Sequence, residues 1–383
     1  MEIDCIKSLF FKHKEKVLFG RYINNKHIEP LLKRLSEKFK VSVIGRSVNT
    51  QNIYSITVGQ GPVKILMWSQ MHGNESTTTK ALFDLINLLE SDSEESRRLL
   101  SHFTLVIIPI LNPDGAEVYT RLNANLVDLN RDAQQQSQPE SRALRLCFNE
   151  FKPDFCFNLH GQRTIFSAGP YNKVATLSFL SPAQDEERSI TATRAKAMAV
   201  IGKMAESLQS ELDGQIGVYD DSFNINCVGD TFQSLNVPTI LFEAGHYHND
   251  YEREEVRRFV FQSYLLALNA IITPEDTDKA VESYLKIPQN EKRFFDVLIK
   301  NVLIEDNIKD IAIQFEEQLV DGAVTFVPKI VKIEKTITEY GHRTIMGDNK
   351  SVVSTNYSSL QVGDIVNSLI INNELLALKL GNN

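Results

Sequence analysis

Between about residues 40 and 272 the chain repeatedly sets a short apolar run beside a stretch of helical period, and few folds accept that pattern. Residues 41–44 and 53–58 read as strands around the turn-prone Ser47-Val48-Asn49-Thr50. Residues 63–68, 105–110, 154–159 and 238–242 are nearly continuous apolar runs, which suit strands covered on both faces. Amphipathic helices are expected over 77–90, 140–151, around 191–212, and 253–272. In the first of them Ala81, Leu82, Leu85, Ile86, Leu88 and Leu89 fall at helical spacing. Strands alternating with helices imply an α/β fold with a mixed, largely parallel central sheet flanked by helices.

The pattern changes at the polar segment Thr273-Pro274-Glu275-Asp276. From about residue 294 the chain reads as short strands (294–299, 311–315, 323–330) separated by turns such as Asp321-Gly322 and Met346-Gly347-Asp348-Asn349. A length of 383 residues also favours two domains. The expected organisation is therefore a catalytic-type α/β domain over 1–275 and a smaller β-rich domain over 285–383.

The formal net charge of −8 argues against general nucleic-acid or anionic-membrane binding. Cys5, Cys147, Cys156 and Cys227 lie far apart with no CxxC pair, so neither a disulfide framework nor a structural zinc knuckle is expected. The start of the chain lacks the basic segment and apolar run of a signal peptide, and the most apolar stretch, 103–111, is too short to span a bilayer. A cytoplasmic location is the expectation.

Ligands of open α/β sheets bind outside the carboxyl ends of the strands, so the residues just after each apolar run carry the interest. These are Met71-His72-Gly73-Asn74-Glu75, Asn112-Pro113-Asp114-Gly115, His160-Gly161 and Glu243-Ala244-Gly245-His246. Separate strand ends thus deliver His, Glu, His and Glu. A catalytic zinc takes imidazole and carboxylate ligands from three side chains and leaves one position open. His72 and Glu75 are near enough in sequence to reach one ion, and His160 from a neighbouring strand end completes a His₂Glu set. The alternative is a His72 that caps a turn and a Glu75 solvated at a helix N-terminus. Arg121 and Arg131 flank a polar stretch that ends in Asp128-Leu129-Asn130-Arg131, and their guanidinium forks suit carboxylate groups.

His72-Gly73-Asn74-Glu75, Asn112-Pro113-Asp114-Gly115, Arg121 with Asp128-Leu129-Asn130-Arg131, His160 and Glu243, in this order, resemble the signature of the zinc metallocarboxypeptidases, the carboxypeptidase A and regulatory carboxypeptidase superfamily. The resemblance covers about residues 40 to 270. It implies one zinc ion per chain held by His72, Glu75 and His160, with Glu243 as general base and Arg121 on the oxyanion. Asn130 and Arg131 would grip the terminal carboxylate of a peptide or small carboxylate-bearing substrate, and Tyr219 would be a lid tyrosine. The alternative for Glu243 is a structural acid near Arg253 or Arg257.

The chain departs from the family pattern in places. Leu126 stands where glycine is usual, and Asp132 replaces asparagine after Arg131, where it is expected to pair with that arginine. Val228 lies near the position that sets side-chain preference, while His246 and His248 read as exposed loop histidines. The C-terminal β region occupies the position of the transthyretin-like domain of regulatory carboxypeptidases, without its motifs. Two other readings stay open. One is a zinc-dependent deacylase of N-acyl amino acids, of the aspartoacylase and succinylglutamate desuccinylase type; the other is an inactive carboxylate-binding module.

Overall fold

The computed structural model describes residues 2–274 and 277–380; Glu275 and Asp276 of the expected boundary segment, with residues 1 and 381–383, lie outside the described residues. The chain forms two compact units, Met1–Gln162 with Ala175–Asn290, and Arg163–Val174 with Glu291–Asn383. Nothing in the composition of residues 163–174 marks them as part of the second unit.

The first half of the chain runs α1 (Ile3–His13), α2 (Asn25–Lys33), β1 (Lys40–Arg46), β2 (Asn52–Val58), β3 (Val63–Ser69), α3 (Thr77–Glu90), α4 (Glu94–His102), β4 (Phe103–Ile108), α5 (Pro113–Glu117), α6 (Pro139–Phe151) and β5 (Phe155–Gly161). After β6 (Phe166–Ala168), which belongs to the second unit, come β7 (Leu177–Leu180), α7 (Ala192–Leu208), β8 (Ile216–Val218), α8 (Val228–Ser234), β9 (Thr239–Ala244), α9 (Glu254–Ile272) and α10 (Thr277–Leu285). The eight-stranded sheet has the order β1-β2-β4-β3-β5-β9-β7-β8. Its middle, β4-β3-β5-β9, is parallel. The antiparallel pairs β1·β2, β2·β4 and β7·β9 lie to either side, so the sheet is mixed. Strand β4 ends two residues before its expected limit, where Pro109 has no N–H to offer the ladder.

The alternation along β3 explains the two layers of helices. Ile65 and Met67 join one buried cluster with residues of α3, α7 and α9, whereas Leu66 and Trp68 join another with Ala143, Leu144 and Phe148 of α6 and Phe232 of α8. Successive side chains of a strand point to opposite faces, so a continuously apolar strand requires both layers. Helix α1 packs onto the first layer, with the Phe10 ring 5.7 Å from that of Phe261. No helix among the described residues is long and apolar enough to cross a membrane.

The second unit holds the remaining strands, β10 (Asn290–Lys292) through β17 (Glu374–Ala377). Its main sheet has the order β13-β12-β11-β14, with β11 (Phe294–Ile304), β12 (Asn307–Val320), β13 (Ala323–Glu334) and β14 (Tyr340–Met346). Strands β11 to β13 exceed their expected lengths because polar residues such as Lys300-Asn301 and Glu316-Glu317-Gln318 interrupt their apolar runs without ending the strands. Asp321 and Gly322 join β12 to β13 with φ of 50° and 78°, the left-handed pair that a tight two-residue hairpin needs.

One fully buried ion pair ties α9 to α3. Arg257 donates through Nε to Asp84 Oδ2 at 2.7 Å and through Nη2 to Oδ1 at 2.6 Å. It also donates to the carbonyls of Leu18 and Glu15. Removing one partner strands a buried charge, which typically costs about 3–5 kcal/mol. Asp84→Ala should lose that much stability in urea titrations, and Asp84→Asn less; a loss below about 1 kcal/mol for Asp84→Ala would contradict the role given to the pair.

Candidate metal centre

The loop after β3 is shaped by its fit against the loop after β4. Leu111 and Asn112 donate backbone N–H groups to the carbonyls of Ser69 and Gln70, prolonging the pairing of β3 with β4. The Asn112 side chain accepts from Gly115 N at 2.9 Å and donates to Met71 O at 3.2 Å. A methyl group at Gly73 would lie 2.0 Å from the Gly115 carbonyl carbon, so the two loops meet backbone to backbone. Asp114 locks the second loop by accepting from Ser47 Oγ at 2.7 Å and Asn49 N at 2.9 Å. Glu75 N donates to His72 O at 3.1 Å, and this turn sets the two side chains on one side.

His160 arrives from β5, next to β3 in the sheet. Nδ1 of His72 is 3.0 Å from Glu75 Oε1, Nδ1 of His160 is 2.9 Å from Glu75 Oε2, and the two Nδ1 atoms are 3.1 Å apart. One ligand atom from each of His72, Glu75 and His160 can be chosen so that all lie within 4.8 Å of one another. Two imidazole nitrogens and a carboxylate converging on one point are the donor set that zinc selects. Nε2 of His160 and Oε2 of Glu243 are buried without a hydrogen-bond partner, so polar capacity remains beside the cluster. The residues present therefore fit the metal.

Asp128 completes the arrangement. Its Oδ1 lies 3.0 Å from His72 Nε2, which leaves Nδ1 facing Glu75 and His160. A carboxylate on the far nitrogen fixes the ring and raises its basicity. Arg121 donates to Asp128 Oδ2 through Nε at 3.2 Å and Nη2 at 3.0 Å, and to Glu75 Oε1 through Nη1 at 3.3 Å.

Electrostatics follow from this packing. Burial opposes ionisation of Glu75, but the charge of His72 and bonds from His160 and His72 win and hold it well below the usual carboxylate range. Burial likewise opposes ionisation of Asp128, and the bond to His72 and the nearby Arg121 overcome it. For His72, burial is outweighed by Glu75 and Asp128, so its pKa rises; for His160, burial prevails and lowers it. The cluster thus attracts positive charge at the point where its ligand atoms converge.

Glu243 stands in register with His160 across the β5·β9 pair. Burial and the negative charge of Glu75 push it well above the usual range, against the pull of Arg121 and Arg253. Of the two arginines of the structural alternative, Arg257 is engaged with Asp84, and Arg253 donates to the carbonyls of Ala244, Gly245 and Gln162 while its charge also acts on Glu243. Arg253 thereby ties the ends of β5 and β9 together.

The other expected residues are placed as follows. Tyr219 is partly buried, and burial with the charges of Glu243 and Glu75 raises its phenol, so it lies within the field of the cluster. Asn130 accepts from Val228 N at 3.0 Å, joining the 128–131 segment to α8. Arg131 is exposed and donates to Asn130 O at 2.7 Å; it makes no direct bond to the His–Glu cluster. Asp132 does not pair with Arg131, because its carboxylate accepts from Ser137 N, Ser137 Oγ and Gln138 N. His248 is exposed as expected, but His246 is buried, its ring 4.7 Å from that of Tyr251. Leu126 has φ of 60°, a left-handed conformation that costs a non-glycine residue about 1–2 kcal/mol.

The sequence profile of the zinc carboxypeptidase family matches residues 25–229, more than half of the chain. The chain belongs to the zinc carboxypeptidase family. The matched span contains His72, Glu75, Arg121, Asn130, Arg131, His160 and Tyr219 and stops short of Glu243. Carboxypeptidase SOL1 of Arabidopsis thaliana is 28% identical over 37% of this chain and 33% of its own length. Carboxypeptidase M of Mus musculus is 28% identical over 38% of this chain and 40% of its own. The chain thus spans less than half the length of either relative. Among solved structures, a metallo-carboxypeptidase from Burkholderia cenocepacia superposes with a TM-score of 0.53 at 16% identity, covering 65% of this chain and 69% of that one. Carboxypeptidase A from Helicoverpa armigera gives 0.53 at 14% identity over 74% and 80%. These structures share the α/β fold.

Two acids in this region escaped the sequence reading. Asp128 was legible only as part of its motif, with no sign that it supports His72. Asp230, two residues beyond Val228, is buried on α8 and pushed up to about 6 by burial, against the nearby positive charges of Arg131 and Arg194. The native state therefore holds the Asp230 proton more tightly than the unfolded chain does. The associated stability is complete below about pH 4 and is lost as pH rises to about 6. Asp230→Asn, which keeps an acceptor for Asn224 N, should gain on the order of 2 kcal/mol relative to the native protein between pH 4.5 and 7.5. Denaturant titrations at the two pH values check this, and a pH-independent difference would contradict the raised pKa.

Proposed function

We propose that the chain is a zinc-dependent carboxypeptidase that hydrolyses the amide bond preceding a free terminal carboxylate. The observation that carries this reading is the convergence of His72, Glu75 and His160 with Arg121 at its edge and Glu243 in register beside it. His72, Glu75 and His160 would hold one zinc ion per chain. Zinc in such a set polarises a carbonyl and lowers the pKa of coordinated water toward about 7.

The chain's own groups supply the rest. A cation at the cluster offsets the Glu75 charge that Glu243 feels, which favours the carboxylate form of Glu243. Glu243 accepts the proton of the attacking water and delivers it to the departing nitrogen. Arg121, held by Asp128 and Glu75, donates to the carbonyl oxygen as it gains negative charge. Asp128 keeps the His72 ring in one tautomer. Asn130 and Arg131 take the terminal carboxylate, and Arg131 is free to swing toward it because the only bond it makes among the described residues is to a backbone carbonyl. Tyr219 closes over the bound substrate from the β8 side. Arg121 and Arg131 are both exposed, which suits a peptide passing over an open rim.

The test is a mixture of peptides and N-acyl amino acids digested by the purified protein and followed by mass spectrometry. The expected result is stepwise loss of C-terminal residues, abolished by a zinc chelator and reduced about 10²–10⁴-fold in Glu243→Gln. Cleavage of acyl amino acids with peptides intact would replace this reading with a deacylase. No cleavage by the zinc-loaded protein would leave a carboxylate-binding module.

A further inference from the structure

Leu126 combines two unfavourable features at the rim of the metal centre. It is 79% exposed, and its φ of 60° lies where glycine or asparagine is at ease and leucine is not. The hydrogen bonds explain the conformation. Leu126 N donates to Asn123 O at 2.9 Å and Asn123 N donates to Val127 O at 3.1 Å. Ala124, Asn125 and Leu126 thus form a three-residue hairpin loop whose third position is left-handed. The loop is held firmly. Buried Asn123 accepts from Asn125 N and Val127 N, and donates to Gln138 Oε1 at 2.9 Å and Glu140 Oε2 at 3.2 Å. The fold requires the backbone shape, yet nothing in the fold requires a leucine side chain there.

The arms of this hairpin reach the metal cluster. Arg121 on one arm donates to Glu75, and Asp128 on the other lies against His72. At the reach of an extended chain, the Leu126 Cα is within about 7 Å of that of Asp128. Along the segment the order is Leu126, then Asp128 at the cluster, then Asn130 and Arg131. In chain order, Asp128, which touches the cluster, therefore falls between Leu126 and the residues assigned to the terminal carboxylate. A substrate running the length of this segment sets the residue on the acyl side of the scissile bond beside Leu126.

We propose that Leu126 is a specificity residue that offers an apolar contact to the substrate residue on the acyl side of the scissile bond, so that peptides apolar at their penultimate position are preferred. This rests on the carboxypeptidase reading. Burying the exposed side chain against substrate recovers in the complex what the free protein forgoes.

The experiment compares two peptides differing only in phenylalanine or serine at the penultimate position. Binding is measured by fluorescence anisotropy on the zinc-loaded Glu243→Gln protein, with Leu126, Leu126→Gly or Leu126→Asn, and turnover is measured on the protein with Glu243 intact. Leucine should favour the phenylalanine peptide about ten-fold. Both variants should bring that preference within two-fold while raising the thermal midpoint, since each tolerates the left-handed position. An unchanged preference in the variants, or binding of neither peptide, overturns the proposal. If the preference collapses in the variants but the native protein hydrolyses nothing, the contact stands and the carboxypeptidase reading falls. If hydrolysis proceeds with the same preference in all three proteins, the reading stands and the contact falls.

Discussion

Strands β3, β5 and β9 are neighbours in one parallel run, and their pairing brings their carboxyl ends to one edge of the sheet. That alignment is the constraint on which the candidate site depends. It sets His72 and Glu75 just beyond β3, His160 near the end of β5, and Glu243 opposite His160 on β9. Arg253 reinforces it by donating to the carbonyls of Gln162, just past β5, and of Ala244 and Gly245 at the end of β9. The loops then bring the side chains to contact: Gly73 against Gly115 sets how closely the first turn approaches, and Asp128 sets which nitrogen of His72 faces inward.

The same packing makes the cluster costly for the fold. Glu75, Glu243, His72 and His160 sit close together in a poorly solvated place, where isolated charges are unfavourable. Part of the cost is offset internally, because Arg121 bridges Asp128 and Glu75 and the histidines bond to the carboxylates. What remains is a Glu243 carboxyl pushed upward and a His72 ring pulled toward protonation. Both distortions would be relieved by a divalent cation at the convergence point, and strongly perturbed titratable groups clustered in one pocket are typical of functional sites.

Much of this was legible in the sequence. All six expected strands of the main sheet begin and end within two residues of the observed ones, and four of them were legible as the nearly continuous apolar runs of strands covered on both faces. The residues of the candidate ligand cluster, His72, Glu75 and His160, could be singled out because each follows such a run. The helices α1 and α2 were not read, since each is short and only one face of it is apolar. Residues 163–174 carry no local sign that they join the second unit, because membership there is decided by long-range pairing. His246 looked like a loop histidine, yet the turn after β9 carries it inward against Tyr251. Asp132 looked like a partner for Arg131, yet the backbone of the 137–138 turn lies nearer and takes its oxygens. In each of these cases the deciding interaction lies outside the window that periodicity and spacing can read.

The central claim is that two imidazoles and one carboxylate from these strand ends bind a single zinc ion. Zinc K-edge X-ray absorption on the zinc-loaded protein tests it most directly. The account predicts one zinc per chain, a first shell of nitrogen and oxygen at about 2.0–2.2 Å, and two imidazole contributions, one of them lost in His160→Ala. A sulfur shell at about 2.3 Å, or a spectrum unchanged by His160→Ala, would place the metal elsewhere and contradict the account.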